Sequence, residues 1–254
     1  NGVLDPGSFA DNPDEESTAF TLLINDAAQE AAVNASNVEF FILHGSTDAP
    51  TVDIFARDVA QLADNAPYKG MTDYLSVPPA RYIVDLTPGE DNETIVASFD
   101  ADLSGLQGGA ATVFASGFFN PAVNQNGPAF GLFAALPNGA VVEFPALTTA
   151  RLQVIHNAAD PAADTVDIYL NEDLLLDNFA FRTATPFIDA PANQEITIGV
   201  APGNSSSVED VIADFDVTLT AGEKYVVVAN GVLDPGSFAD NPDEESTAFT
   251  LLIN

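Results

Sequence analysis

Residues 230–254 read NGVLDPGSFADNPDEESTAFTLLIN, and residues 1–25 read NGVLDPGSFADNPDEESTAFTLLIN. All 25 positions match, at an offset of 229. Chance does not produce such a match, so the chain reads as one repeat of 229 residues plus the opening of the next. This predicts a parent array of nearly identical copies. The chain has no initiating Met, which fits a mature form or a fragment.

A second, more diverged repeat lies inside the first. HGSTDAPTVDIF (44–55) matches HNAADPAADTVDIY (156–169), and LADN (62–65) matches LLDN (175–178). Pro88-Gly89 matches Pro202-Gly203, and ASFDADL (97–103) matches ADFDVTL (213–219). Gly117 and Pro121 match Gly231 and Pro235, and AFGLF (129–133) matches AFTLL (248–252). The order is kept at offsets of 112 to 119, so each repeat holds two related domains. Domain A is expected over 38–149 and domain B over 150–254, with the linker near 146–151. Residues 1–37 then read as the tail of a preceding B domain plus its link into A. A domain of this size buries about two-thirds of its unfolded surface, enough for its own core.

The local signal is strand and turn. VDIFA (52–56) and VDIYL (166–170) alternate apolar with polar residues, as a half-buried strand does. ARYIVDL (80–86) and EITIGV (195–200) are each followed by Pro-Gly, a turn signal. IVASFDADL (95–103) and VIADFDVTL (211–219) alternate over a longer stretch, and ATVFASG (111–117) and KYVVVANG (224–231) read as central strands bounded by Gly. Seven or eight short strands per domain predict an all-β fold of two tandem, antiparallel, immunoglobulin-like sandwiches. DAAQEAAVN (26–34) has helix-friendly composition, but it aligns with LPNGAVVEF (136–144), which reads as a closing strand.

Three segments carry a family resemblance. The H-x(4–6)-D-x-V-D-I start, the F-D-x-x-L strand and the V-x-x-x-G-x-x-x-P segment resemble the domain-of-unknown-function modules found in tandem in secreted bacterial and archaeal surface proteins. The resemblance spans both domains. It implies an immunoglobulin-like sandwich and an extracellular setting, and it supplies no site residues.

Composition narrows the function. The chain has 254 residues, with 38 acids against 6 bases, a formal charge of −32 and no Cys. Disulfides and thiolate metal sites are therefore impossible. Nucleic acid is excluded as a partner, because phosphate contacts need clustered Lys and Arg. Hydrophobic residues make up 46%, too many for a disordered chain. No apolar run reaches the roughly 18 residues of a membrane span, so no membrane insertion is expected. Residues 1–20 hold five acids and no base, unlike a signal peptide. Such acidity suits a salty extracellular medium, where screening shortens the self-repulsion.

Candidate chemistry is sparse. His44 and His156 occupy the same place in the two domains, beside Asp48 and Asp53 or Asp160 and Asp167. They could serve acid–base or metal chemistry, but a motif duplicated without a third partner reads as scaffold. The loop DNPDEES occurs at 11–17 and 240–246. Its oxygens, from Asp11, Asp14, Glu15 and Glu16 or from Asp240, Asp243, Glu244 and Glu245, are weak Ca²⁺ candidates. Their spacing does not fit a helix–loop–helix calcium loop, and with 38 acids in the chain a solvated acidic loop is the favoured reading. Lys69 and Lys224 are the only lysines. Lys224, which opens a strand near several Asn, is a candidate for a Lys–Asn cross-link, which needs a buried, neutral amine, but Ala110 stands at its place in domain A. Phe118, Phe119 and Tyr68 are candidate carbohydrate platforms, with core packing the competing reading. Sequons occur at Asn34, Asn92 and Asn204. No nucleophile elbow, zinc helix or phosphate loop is present, so no enzyme and no cofactor are expected.

Two functions follow. The favoured one is a structural repeat unit of an extracellular tandem-repeat protein: a surface filament, stalk or adhesin shaft whose partners are copies of itself head to tail. The alternative is an extracellular module that binds carbohydrate or Ca²⁺, with polysaccharide or another cell surface as partner. Residues 1–25 offer a test. Their copy supplies the closing strands of B, so Phe9, Phe20, Leu22, Leu23 and Ile24 should stand exposed in the chain by itself and be buried once a B domain precedes them. Packing on domain A or B of their own chain would take away the filament's main structural support.

Overall fold

The computed structural model describes residues 1–254, and the chain divides into two compact units, Asn1–Leu147 and Thr148–Asn254. The fold is all-β. Its only helical pieces are 3₁₀ turns of three residues, and residues 26–34 form turns, neither helix nor strand.

The first unit contains β1 (Val38–His44), β2 (Val52–Ala56), β3 (Ala60–Ala66), β4 (Leu75–Val77) and β5 (Arg81–Pro88). β6 (Ala97–Asp102), β7 (Ala110–Ser116), β8 (Gly131–Ala135), β9 (Val141–Phe144) and β10 (Ala146–Leu147) follow. They form two five-stranded sheets, ordered β4-β1-β7-β8-β9 and β10-β6-β5-β2-β3. The inner faces supply one core, built around Val38, Phe40, Ile42, Ile54, Phe99 and Leu132.

The second unit repeats this plan with β11 (Thr149–His156), β12 (Thr165–Leu170), β13 (Asp173–Ala180) and β14 (Ile188–Pro191). β15 (Glu195–Pro202), β16 (Ala213–Thr218), β17 (Lys224–Asn230) and β18 (Thr250–Ile253) complete it. Its sheets are four-stranded, ordered β14-β11-β17-β18 and β13-β12-β15-β16. Val166, Ile168, Ile198 and Val200 centre the packing on the second sheet.

Two features refine the sequence reading. Within sheets that are otherwise antiparallel, β1 pairs β7 and β11 pairs β17 in parallel, with His44 opposite Ala115 and His156 opposite Ala229. A parallel neighbour needs a long crossover rather than a hairpin. Here the intervening strands of the opposite sheet provide it. Second, VDIY is buried on both faces rather than half-buried, and VDIF is buried but for Phe55, which is half-buried. Asp53 and Asp167 are each 1% exposed, because the loops beside them fold back over the outer face.

Candidate functional site

The residues singled out by the sequence gather at one end of each sandwich, where β1 or β11 runs into its Asp-rich turn. His44 is 3% exposed and its Nε2 lies 2.9 Å from the Pro50 carbonyl. His156 is 1% exposed and its Nε2 lies 2.7 Å from the Ala163 carbonyl. A carbonyl only accepts, so each Nε2 carries the proton and donates. Nδ1 of both rings is buried without a partner. Tyr68 packs edge-on against His44, and Phe179 and Phe181 flank His156. Burial pushes the pKa of His44 below its ordinary value; its bond to Pro50 and the charge of Asp14 oppose this more weakly. Each imidazole thus closes the loop between two strands of opposite sheets.

The carboxylates beside the histidines bind backbone. Asp48 accepts from the Phe119 and Asn120 amides at 2.8 Å and from the Asn124 side chain at 2.7 Å. Asp160 accepts from the Leu233 and Ala162 amides, both at 2.8 Å. Each therefore ties the first loop of its domain to the loop after the parallel strand. Asp53 accepts from the Asn65 amide at 2.5 Å, and Asp167 from the Asn178 amide at 2.8 Å and the Ser205 hydroxyl at 2.5 Å. Asn65 and Asn178 have φ of 48° and 54°. They sit where β3 and β13 slip register against β2 and β12. Asn tolerates this left-handed region. The LADN and LLDN motifs are thus bulges, each pinned by the Asp of the facing strand.

The third shared motif is the Gly before Pro. Gly117 (φ +88°) and Gly231 (φ +92°) lead into loops that make parallel bridges, Phe118 to Ala129 and Val232 to Ala248. A Cβ on either glycine would lie 2.1 Å from the Ala129 carbonyl oxygen or 2.4 Å from that of Ala248. Residues 1–25 build the same loop a third time, with Val3 bridged to Ala19 and a 3₁₀ turn at Pro6–Ser8, as at Pro235–Ser237.

The surroundings of the two identical segments differ. Residues 230–254 complete domain B. Thr250–Ile253 pair with β17, and Leu233, Phe249 and Leu251 pack against its core. Residues 1–19 instead dock on the end of domain A. Phe9 stacks on Phe118 with ring centroids 5.5 Å apart, and the Ala10 amide donates to Asn124 Oδ1 at 2.9 Å. Asn12 Nδ2 donates to the Thr47 and Ala49 carbonyls at 2.9 and 3.1 Å. The Asp14 carboxylate accepts from Thr51 N at 2.6 Å and Oγ1 at 2.8 Å. Further along, Glu39 accepts from the Val33 and Asn34 amides, bonds that hold its pKa below the usual carboxylate range. Residues 1–37 therefore belong to the first compact unit, by hydrogen bonds the sequence did not signal. Phe20, Leu22 and Ile24 are exposed as expected, at 56%, 79% and 84%, and so is Leu4 at 88%. The expectation fails for Phe9, which packs on domain A of its own chain, and for Leu23, which is half-buried.

The other candidates do not converge. Asp11, Glu15 and Glu16 are exposed and Asp14 is engaged with Thr51; Asp240, Asp243, Glu244 and Glu245 are exposed on their loop. No group of three or more His, Asp or Glu is arranged to hold a metal. Tyr68 is buried, its hydroxyl donating to Asn1 Oδ1, and Phe118 is stacked under Phe9, so of the three aromatic candidates Phe119 alone stands largely exposed. Lys69 donates to the Ser17 carbonyl and lies over the Tyr68 ring, while Lys224 is exposed at the start of β17. Asn34, Asn92 and Asn204 are exposed. No helix is long and apolar enough to cross a membrane.

Sequence reasoning missed one buried pair. Arg57 Nε and Nη2 donate to Asp85 at 2.8 and 2.7 Å, and Ser98 donates to the same carboxylate at 2.7 Å. Domain B has Asn171 and Gly199 at the matching positions, so the repeat alignment gave no signal.

Comparison with known proteins agrees with the internal repeat. The family model described as Domain of unknown function (DUF4397) matches residues 36–127 and again 145–248, and the chain belongs to that family. No curated protein matches. Among solved structures, the Bacillus anthracis TIE protein is 9% identical over 76% of this chain, with a TM-score of 0.25, and the chain spans 33% of its length. The cell-adhesion candidate BF2867 of Bacteroides fragilis NCTC 9343 is 13% identical over 86% of this chain and 97% of its own, with a TM-score of 0.18. At these scores neither likeness bears on function.

Proposed function

We propose that this pair of DUF4397 domains is a structural repeat unit of an extracellular tandem-repeat protein, forming a surface filament, stalk or adhesin shaft. The observation that carries the reading is the segment present twice, residues 1–25 and 230–254, which adopts the same local fold against two different domains. A segment of this kind joins one unit to the next, so copies follow one another head to tail. The work of such a protein is mechanical, and two hydrogen-bonded sheets around an apolar core suit it. The charge of −32 favours a medium where salt screens it. The reading includes no catalysis: His44, His156, Asp48 and Asp160 tie loops together, and Asp53 and Asp167 pin strand bulges. Antibody against the purified chain, applied to intact cells of the source, should label extended surface structures by electron microscopy. Labelling that appears only after the cells are opened would refute the proposal.

A further inference from the structure

The two identical segments bury opposite faces. In residues 230–254, Leu233, Phe249 and Leu251 pack on domain B, while Phe238, Ala239 and Asp243 are exposed and Asn241 is half-buried. In residues 1–25 the pattern inverts. Leu4, Phe20 and Leu22 are exposed, while Phe9, Ala10, Asn12 and Asp14 engage domain A. One amino-acid sequence in one local conformation thus has two binding faces, and each copy uses one of them. We propose that residues 230–249 form a two-faced joint. The inner face belongs to domain B, and the outer face, Phe238, Ala239, Asn241 and Asp243, docks on the end of domain A of a second copy.

The receptor is described by residues 1–19, which already occupy it. Its parts are the Thr47 and Ala49 carbonyls, Thr51, the Phe118 ring and Asn124. The Asn124 side-chain amide donates to Asp48 and to the Asn120 carbonyl, both on domain A, and these bonds aim its Oδ1 at the docked amide. Charge agrees as well. Lys69, one of only six basic residues, donates to the Ser17 carbonyl beside an acidic loop whose copy holds Asp240, Asp243, Glu244 and Glu245. Asn241, Asp243 and Ser246 offer the groups that Asn12, Asp14 and Ser17 use.

This deepens the function proposed above by naming the joint between copies, yet the joint is tested in solution, apart from any cell surface. In the full chain the receptor is filled in cis by residues 1–19, tethered at an effective concentration in the millimolar range. Asn12→Ala with Asp14→Ala loosens that cis docking and leaves residues 230–249 intact. Sedimentation should be measured from about 10 µM to about 1 mM in about 1 M NaCl, where the screening length falls to about 3 Å. The weight-average mass of this variant should at least double, while the wild-type chain stays monomeric. Adding Asn241→Ala and Asp243→Ala should return it to monomer. The quadruple variant mixed with the wild-type chain should give a one-to-one complex, because one partner offers an open receptor and the other an intact joint. Phe9→Ala, a milder opening, should show the same trend if the first variant folds poorly. A folded open variant that stays monomeric throughout overturns the proposal, and so does association that persists in the quadruple variant. Failure here with surface labelling intact would remove the joint and leave the proposed function standing.

Discussion

Replacing Arg57 by Met tests what holds domain A together. The Arg57 side chain is 11% exposed and that of Asp85 5%. Asp85 lies on β5, opposite Phe55 of β2. The substitution keeps most of the aliphatic volume and removes the guanidinium bonds to Asp85 and Ser98, leaving a buried carboxylate with the Ser98 hydroxyl. Breaking a buried pair from one side costs about 3–5 kcal/mol, because the remaining charge is uncompensated. A domain of this size loses roughly 4 °C of melting temperature per kcal/mol. The transition of domain A should therefore fall by about 12–20 °C. Domain B lacks the pair, and distant sites act additively, so its transition should not move. Calorimetry on the full chain reads both at once. Adding Asp85→Leu removes the stranded charge, and the double variant should regain most of the loss, since apolar replacements of buried pairs are often neutral. A drop of less than about 3 °C in Arg57→Met, or a double variant worse than the single, would show that the pair is solvated in solution and that the magnitude argument is wrong.

Other expectations concern each domain by itself. Gly117→Ala puts a methyl group against the Ala129 carbonyl at positive φ, and should destabilise domain A by more than about 2 kcal/mol in a urea melt. His44 titrates below its ordinary 6.5 in the fold because burial disfavours the imidazolium. Its stability contribution is whole above about pH 6.5 and is lost as the pH falls from there toward the folded pKa. Compared with the wild-type chain, His44→Gln should flatten the stability–pH curve in that window; an unchanged curve would contradict the burial argument. Chelator should lower neither melting temperature by more than about 10 °C, since folding-coupled metals need a formed ligand set. Salt should raise both melting temperatures by screening a net charge of −32.

Much of the sandwich was legible because strand periodicity and turn residues are local signals. ARYIVDL followed by Pro-Gly became β5, and KYVVVANG became β17 with its bounding glycine at φ +92°. The repeated His-to-Asp motif also marked the same end of each domain, where its side chains bond to loop backbone. Partner choice was not legible. The parallel pairing of β1 with β7 joins residues about 70 positions apart, and no periodicity encodes which neighbour a strand takes. The Arg57–Asp85 pair was hidden by the excess of acids, which offers every arginine many partners on paper. Both faces of VDIY are covered because a bulge and a loop fold over it, an effect of sequence 10 to 40 residues away.

Residues 1–25 show what exact repetition adds to a structure. The Gly, the 3₁₀ turn after Pro, the parallel bridge and the left-handed Glu15 and Glu244 (φ 61° and 60°) form identically with and without domain B attached. The loop conformation is therefore local, set by turn residues and short-range bonds such as Asn12 to Asp14 and Asn241 to Asp243. What differs is burial, which only a neighbouring body can supply. A diverged repeat would leave open whether Leu4 is exposed because its sequence had drifted. Here Leu4 and Leu233 are the same residue in the same loop, so their different exposure measures what domain B contributes to Leu233. By the same comparison, the exposed ring of Phe238 and the stacked ring of Phe9 measure what domain A contributes. The face that is bare at Leu4 is covered at Leu233, and the face that is bare at Phe238 is covered at Phe9, which is the pattern the proposed joint requires.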